Sequence, residues 1–385
     1  MAQELSHKGL LLTSTSRAFG SIQRYIQGPG EIYNCFELGK KFGKHFFFVV
    51  DSGVFDLVKD KIESVKDKCG CTYTFHSFLG ECCMENVHML ADIAKEHSCD
   101  VVFGVGGGKV LDTVKLVADE VNCARIIVPT SASSDAPAAD WAALYDINGI
   151  SLGGIPTKRC TELVLVDSEI IVGAPARLFV AGIADALVTW FEAKANYDSL
   201  TPNYIGRGYF ACRAGMALAR ECYDVLLRDG RKAYNDVKNK VLTPAVENVI
   251  EANILLSGMG FMNGGCAGSH GIHNGMSEVK SAIPTLHGEK VAFGLVCQLV
   301  MENATEELLN STLELLTDLN LPVTLAQIGI EMTDEDYEIA IDHMLNKNSL
   351  VHREPCVVNA DVLKNTIMAA DALGHRFLER KSKEK

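Results

Sequence analysis

Val101 to Val114 reads VVFGVGGGKVLDTV, and the assignment of the fold depends on this stretch. Val101, Val102 and Phe103 are β-favouring and apolar, and they run into Gly104, Gly106, Gly107 and Gly108. Lys109 follows, after which Val110, Leu111, Val114 and Val117 recur at helical spacing, with Asp112 and Lys115 on another side. The pattern predicts a buried strand, a glycine turn, and a helix whose first amides and dipole favour a phosphate group. Glycine suits that turn because a Cβ would block close approach of a ligand to the backbone. Neither common nucleotide fingerprint is matched. A GxGxxG motif counted from Gly104 requires glycine at Lys109, and a Walker A motif requires glycine at Phe103 and Ser or Thr at Val110. A tight turn without a ligand is the alternative; phosphate binding is favoured.

Similar apolar runs flank the loop. Phe46 to Val50 ends at Asp51, Thr72 to Phe75 is a short β-favouring run, Ile126 to Val128 ends in Pro129-Thr130, and Leu163 to Val166 is closed by Asp167. Tyr25 to Glu31 carries Gly-Pro-Gly punctuation that closes an N-terminal strand, and Asn86 to Lys95 has helical spacing. Strands alternating with helices predict an α/β domain over residues 1–172 with a mostly parallel, Rossmann-like sheet. From Ala184 onward helical patterns dominate, broken at Thr201-Pro202, Thr243-Pro244, Ile283-Pro284 and Leu321-Pro322. Residues 173–385 therefore read as an all-α domain, and the junction of the two is the natural place for a ligand.

The 385 residues suffice for two domains with real cores. A formal charge of -13 argues against nucleic acid or an anionic membrane as partner, since both want a basic face. The 13 cysteines are odd in number and scattered, so buried thiols in a reducing cytoplasm are expected rather than a disulfide framework. No signal peptide and no membrane-spanning run is read.

Histidines are absent between His97 and His270, and then His270, His273 and His287 arrive together. His270 and His273, in CAGSHGIHNGM, share a face if helical, and His287 lies at a loop-to-helix junction after Pro284. Two imidazoles and one carboxylate would make a three-ligand set with an open position, the arrangement of catalytic zinc. Asp185, in AGIADALVTWFEA, is read as beginning a helix; spacing alone leaves Asp167 and Glu192 as eligible, and Asp185 could merely favour the positive end of its helix. In Pro129 to Asp135 (PTSASSD), small hydroxyl residues follow a strand end. Thr130 and Ser133 can bond a cofactor, and Asp135 can take a substrate hydroxyl, although an ordinary Ser-rich loop is the plainer reading.

GVGGGKVLDTVK, VPTSASSDAP, LVLVDSEIIVGAPARLFVAGIADAL, LLSGMGF, SHGIHNGM and LHGEKVAFG occur in this order. Together they resemble the glycerol dehydrogenase branch of the iron-containing (group III) alcohol dehydrogenase family, whose fold is shared with dehydroquinate synthase. The resemblance implies an NAD-linked polyol dehydrogenase with one divalent metal. It implies Asp185, His270 and His287 as metal ligands; Gly106, Gly107, Gly108, Lys109 and Asp112 as the pyrophosphate loop and its helix; and Asp51 as the acid that meets the adenosine ribose. Thr130, Ser133, Trp141 and Tyr145 match further cofactor positions, and Asp135 the residue near the substrate hydroxyls. Zn2+ is implied over Fe2+, because related iron enzymes carry a further histidine one turn after the aspartate, where this chain has Thr189. Ala139, Asp140 and Trp141 depart from the family, which usually has Ser at the first of these and small residues at the other two.

The expected reaction is oxidation of glycerol or a related vicinal diol to the hydroxyketone, with the diol or hydroxyketone as the only partner besides further copies of the chain (an octamer, by resemblance). His273 is the candidate for the proton. The alternatives are a metal- and NAD-dependent lyase resembling dehydroquinate synthase, which would want several cationic side chains where only Lys280 and Lys290 stand, and a nucleotide-binding relative without activity.

Overall fold

The computed structural model describes residues 16–66, 70–206 and 208–383. The chain forms two compact units. One comprises Gly20–Phe179 and Asp236–Gly258; the other comprises the residues up to Phe19, Val180–Asn235 and Met259–Lys385.

The first unit is built on a six-stranded parallel sheet. Its strands are β1 (Tyr25–Gly28), β2 (His45–Asp51), β3 (Thr72–Phe78), β4 (Val101–Gly106), β5 (Ala124–Pro129) and, after a hairpin, β8 (Leu163–Asp167), in the order β1-β8-β5-β4-β2-β3. Helices α1 (Cys35–Gly39), α2 (Phe55–Glu63), α3 (Met84–Glu96), α4 (Gly108–Val121) and α5 (Ser168–Gly173) connect or follow them. Alternate residues on one face form a single buried cluster: Phe46, Phe48 and Val50 from β2, Val101, Phe103 and Val105 from β4, Ile126 and Val128 from β5, and Leu163 and Leu165 from β8. The Phe48 and Phe103 rings stack within it, with centroids 4.3 Å apart. Phe47, Val49, Val102, Ile127 and Val164 point to the opposite face and are equally buried. A sheet covered on both faces needs unbroken apolar strands, and these runs are unbroken.

The hairpin, β6 (Trp141–Tyr145) antiparallel to β7 (Ser151–Pro156), is not anticipated by the sequence reading. It is anchored by buried charge. Lys115 of α4 has no exposed surface, and its Nζ donates to Asp112 (2.8 Å) and to the carbonyls of Ala136 (2.6 Å) and Trp141 (2.9 Å). Asp112 also accepts from the Ala143 amide at 3.0 Å. Beside it, the buried Arg125 guanidinium pairs with Asp119 and Asp140, at 3.2 and 3.7 Å, and bonds Thr157 and Thr161. Asp140 is thus a counter-charge for a buried arginine.

Beyond β8 and α5 the described chain is helical. After α6 (Ala176–Asp198) and α7 (Arg213–Lys238), the chain forms α8 (Pro244–Glu251), a π turn (Ala252–Leu256), α9 (Ser257–Gly264), α10 (Gly268–Met276), α11 (His287–Met301), α12 (Glu306–Asp318), α13 (Asp334–Met344) and α14 (Ala360–Lys383). Among the described residues no strand follows β8. The division between units differs from the one drawn at residues 172 and 173. Residues 236–258 belong with the sheet, where Gln27 Nε2 donates to the Glu247 carbonyl at 2.9 Å and Ser168 Oγ to the Glu247 carboxylate at 2.6 Å. Helical periodicity fixes element type and says nothing about which core an element joins.

The described cysteines are all free thiols. Among the described residues, no helix is long and apolar enough to cross a membrane.

Candidate active site

In the helical unit, α6 is apolar almost all round, yet Asp185, Thr189 and Glu192 are buried in it (3%, 5% and 1% exposed). Their spacing of four and then three residues puts them on one face. Asp185 lies in the middle of this helix. Its reading as a helix-starting residue is therefore corrected, and the helix dipole gives no account of its charge. A mid-helix buried carboxylate requires partners.

Those partners are the two imidazoles. His270 stands in the first turn of α10, and His287 is the first residue of α11, fixed by Glu289, whose carboxylate accepts from the Leu286 amide at 2.7 Å. Gly288 allows α11 to approach α6, since a Cβ there would stand 1.9 Å from the Ala181 carbonyl oxygen. Asp185 Oδ1 is 3.1 Å from His287 Nε2 and 3.4 Å from His270 Nε2, and the two Nε2 atoms are 3.3 Å apart. A tetrahedral zinc with bonds of about 2.0–2.1 Å separates its ligand atoms by about 3.3–3.4 Å. The triangle matches one face of that tetrahedron, and the half-exposed His287 leaves one side open to an exchangeable fourth ligand.

The hydrogen bonds around His270 fix its donor role. Its Nδ1 lies 2.7 Å from Glu192 Oε2, which assigns a ring proton to Nδ1 and makes Nε2, the atom facing Asp185 and His287, the one that would bind a cation. Glu192 Oε1 also accepts from the amides of Ala267 (2.9 Å) and His270 (2.8 Å), while Gln298 accepts from Ser269 (3.0 Å) and Glu354 from Gly268 (2.6 Å). Buried side chains thus satisfy the first amides of α10, whose N-cap Ala267 offers none. Glu192 and Cys266 form a second set of donor groups with His270, on its Nδ1 side; there the 2.7 Å contact is a hydrogen bond.

Burial works to raise the Asp185 carboxyl, but the adjacent His287 and His270 outweigh it and hold the group far below the usual carboxylate range. Burial likewise disfavours charge on His270, yet Cys266, Glu192 and Asp185 outweigh it and raise its pKa well above the ordinary value. His273 is lowered well below its ordinary value, by burial first and then by His287 and His270. Its ring centroid is 4.5 Å from that of His287, and it stands outside the triangle. Asp167, eligible on spacing, instead caps α5 through the amides of Glu169 (3.0 Å) and Ile170 (3.3 Å).

In the sheet unit, the glycine run forms the predicted strand end and helix start. Gly106 is needed for close approach, because a Cβ there would lie 2.8 Å from the Asp51 Cβ. At Gly107 and Gly108 an added Cβ would meet no atom within 4 Å. Packing does not require glycine at those two positions, whereas a ligand resting on the backbone does. The first turn of α4 has neither a side-chain cap nor an acidic residue, which suits an anion. A cavity of about 570 Å3 adjoins it, lined by Asp51, Gly107, Thr130, Ser131 and Ser133 on one side and by apolar Val54, Leu57, Ile170 and Leu178.

The other proposed cofactor residues are held differently. Lys109 pairs with Glu81, and Tyr145 lies on the hairpin, its phenol raised by burial and by Asp112. Asp112 is 6% exposed with both carboxylate oxygens engaged by Lys115 and Ala143, so it ties α4 to the hairpin. Trp141 lies across β7, where Gly154 makes room for its indole. Asp135 accepts from Ser257 at 3.1 Å. Glu192 was the residue missed as a partner of His270; its signal was the spacing of seven from Asp185 on an otherwise apolar helix.

The sequence profile of the family described as iron-containing alcohol dehydrogenase matches residues 23–168. A glycerol dehydrogenase of Thermotoga maritima is 38% identical over 91% of this chain and 96% of its own length. A glycolaldehyde reductase of Halobacterium salinarum is 34% identical over 94% of this chain and 99% of its own. The crystal structure of glycerol dehydrogenase from Schizosaccharomyces pombe superposes with a TM-score of 0.90 at 32% identity, covering 95% of this chain and 93% of that one. The chain belongs to the iron-containing alcohol dehydrogenase family, in its glycerol dehydrogenase branch. Membership implies NAD and a divalent metal as cofactors.

Proposed function

We propose that the chain oxidises glycerol, or a closely related vicinal diol, to the hydroxyketone with NAD as hydride acceptor. The observation that carries the reading is the triangle of Asp185 Oδ1, His270 Nε2 and His287 Nε2, with edges of 3.1–3.4 Å. A divalent cation held there supplies Lewis acidity, polarising an alcohol oxygen and lowering its pKa. Zinc is the metal we infer. Thr189 stands where related iron enzymes have a histidine, which removes one ligand that such a centre would use.

The chain's own groups do the rest. Asp185 and the two imidazoles hold the reacting oxygen's cation, with Glu192 keeping the His270 lone pair aimed. The amides of Gly107 and Gly108 and the positive end of α4 take the pyrophosphate, with Lys109 at its edge. Asp51 accepts the adenosine ribose hydroxyls and disfavours a 2′-phosphate. Thr130, Ser133 and Tyr145 bond the remainder of the cofactor, Trp141 and Asp112 shape and brace the hairpin beside it, and Asp135 accepts the second substrate hydroxyl. A substrate lacking that hydroxyl leaves the carboxylate unpaired, which selects for diols. His273, whose ring centroid lies 4.5 Å from that of His287, is the group assigned to the alcohol proton.

The lyase reading is not favoured, since relatives at this identity are named as dehydrogenases and a reductase. We further infer a cytoplasmic homo-oligomer, an octamer by family likeness, which light scattering would check. The function itself is tested by incubating the zinc-loaded chain with NAD and a panel of diols, hydroxyketones and 2-hydroxy acids. Reduced cofactor should accumulate with glycerol or a small diol and cease after chelation. Turnover undiminished in metal-free protein would overturn the reading.

A further inference from the structure

The loop that carries Ser133 and Asp135 is held from one side by a short irregular stretch of helix. Between α8 and α9 the backbone widens into a π turn, Ala252–Leu256. Such turns rotate the side chains that follow and recur at functional sites. Here the turn and its exit present three contacts to a single loop. Asn253, with no exposed surface, donates from Nδ2 to the carbonyl of Ala132 at 3.0 Å and to that of Phe179 at 3.2 Å. Ser257, also without exposed surface, donates from Oγ to Asp135 Oδ2 at 3.1 Å. Gly258 lets the backbone close on the loop, since a Cβ there would lie 2.8 Å from the Ala138 Cβ and 3.0 Å from the Asp135 carbonyl oxygen.

Two features mark this as more than ordinary packing. Asn253 holds its two carbonyls while its own Oδ1 stays buried without a hydrogen-bond partner, an arrangement that costs stability. Ser257, the first residue after the π turn in a continuous helix, directs its hydroxyl to the carboxylate of the residue assigned to the substrate. A hydroxyl donating to one carboxylate oxygen fixes the plane of that carboxylate, and hydrogen-bond strength to the substrate depends on that plane.

We propose that Ser257 is a positioning residue for diol recognition: set by the π turn, its hydroxyl orients the Asp135 carboxylate toward the second hydroxyl of the substrate. The inference rests on the substrate role given to Asp135 above. Asn253 acts with it by holding the loop at Ala132, so that Asp135 and Ser133 keep a fixed spacing.

The test is the ratio of kcat/KM for propylene glycol to that for isopropanol, which differ by the one hydroxyl in question. Metal-loaded Ser257→Ala, Asp135→Asn and the double variant are compared with the unaltered enzyme. Ser257→Ala should lower the ratio about tenfold, the worth of a hydrogen bond to a charged group. Added to Asp135→Asn it should lower the ratio no further, which loss of folding alone would not produce. Ser257→Cys, which keeps the volume with a weak donor, gives the same reading if the alanine variant does not fold. If Asp135→Asn collapses the ratio and neither Ser257 variant changes it, the positioning role is overturned and the role of Asp135 stands. If Asp135→Asn leaves the ratio unchanged, the substrate role of Asp135 falls and this inference falls with it.

Discussion

Glu192→Gln should weaken metal binding without touching a metal ligand. The carboxylate accepts three hydrogen bonds: from the amides of Ala267 and His270 at Oε1, and from the His270 ring at Oε2, 2.7 Å away. A glutamine can keep its oxygen on the two amides, but its NH2 then faces the imidazole Nδ1. Two donors cannot share that contact, so the ring proton moves to Nε2, the atom that faces Asp185 and His287. Binding a cation then requires the proton to be driven back against the amide. Loss of such an outer partner costs about 10–100-fold in metal affinity, or about 1.4–2.7 kcal/mol. Competition of the metal-free variant against a chromophoric chelator measures it directly. An affinity for zinc within twofold of the parent, in a variant of unchanged thermal stability, would refute the assigned tautomer and the role of Glu192.

Three further outcomes follow from the sheet unit. Gly108→Ala should fold normally, because a Cβ there meets no atom within 4 Å, yet weaken NAD binding about tenfold or more by displacing the pyrophosphate; calorimetric titration reads this, and unchanged affinity would remove the ligand from the glycine turn. Asp51→Ser should narrow the preference for NAD over its 2′-phosphorylated form by about 10–100-fold in the ratio of kcat/KM values, and a constant ratio would show that the ribose lies elsewhere. Lys115→Met leaves buried Asp112 without its cation and should cost about 3–5 kcal/mol in urea unfolding. Pairing it with Asp112→Asn should recover part of that, and a single-variant loss under about 1 kcal/mol would contradict the buried pair.

The parallel sheet was legible because its four central strands, β2, β4, β5 and β8, are buried on both faces and so carry dense apolar runs, and the glycine turn because Gly104, Gly106, Gly107 and Gly108 stand between such a run and a helical pattern; the edge strands β1 and β3 are only partly buried and mix polar with apolar residues. The hairpin Trp141–Pro156 was not legible. Its anchor is Lys115, a residue that on a helix looks like ordinary surface charge until its burial is known. The joining of residues 236–258 to the sheet was hidden for a related reason, since Gln27, Ser168 and Glu247 are far apart in the chain. The metal ligands were only partly readable. Two close histidines suggested a cation, but Asp185 could be told from Asp167 and Glu192 only through family resemblance, and its position within the helix was misjudged. The structure separates the three by what they touch: Asp167 holds backbone amides, Glu192 holds the far side of an imidazole, and Asp185 meets both Nε2 atoms.

The most direct test of the account is anomalous diffraction at the zinc edge from crystals of the zinc-loaded enzyme. One strong peak is predicted, bonded to Asp185 Oδ1, His270 Nε2 and His287 Nε2 at about 2.0–2.1 Å. A peak elsewhere in the chain, or none at the centre of that triangle, would contradict it.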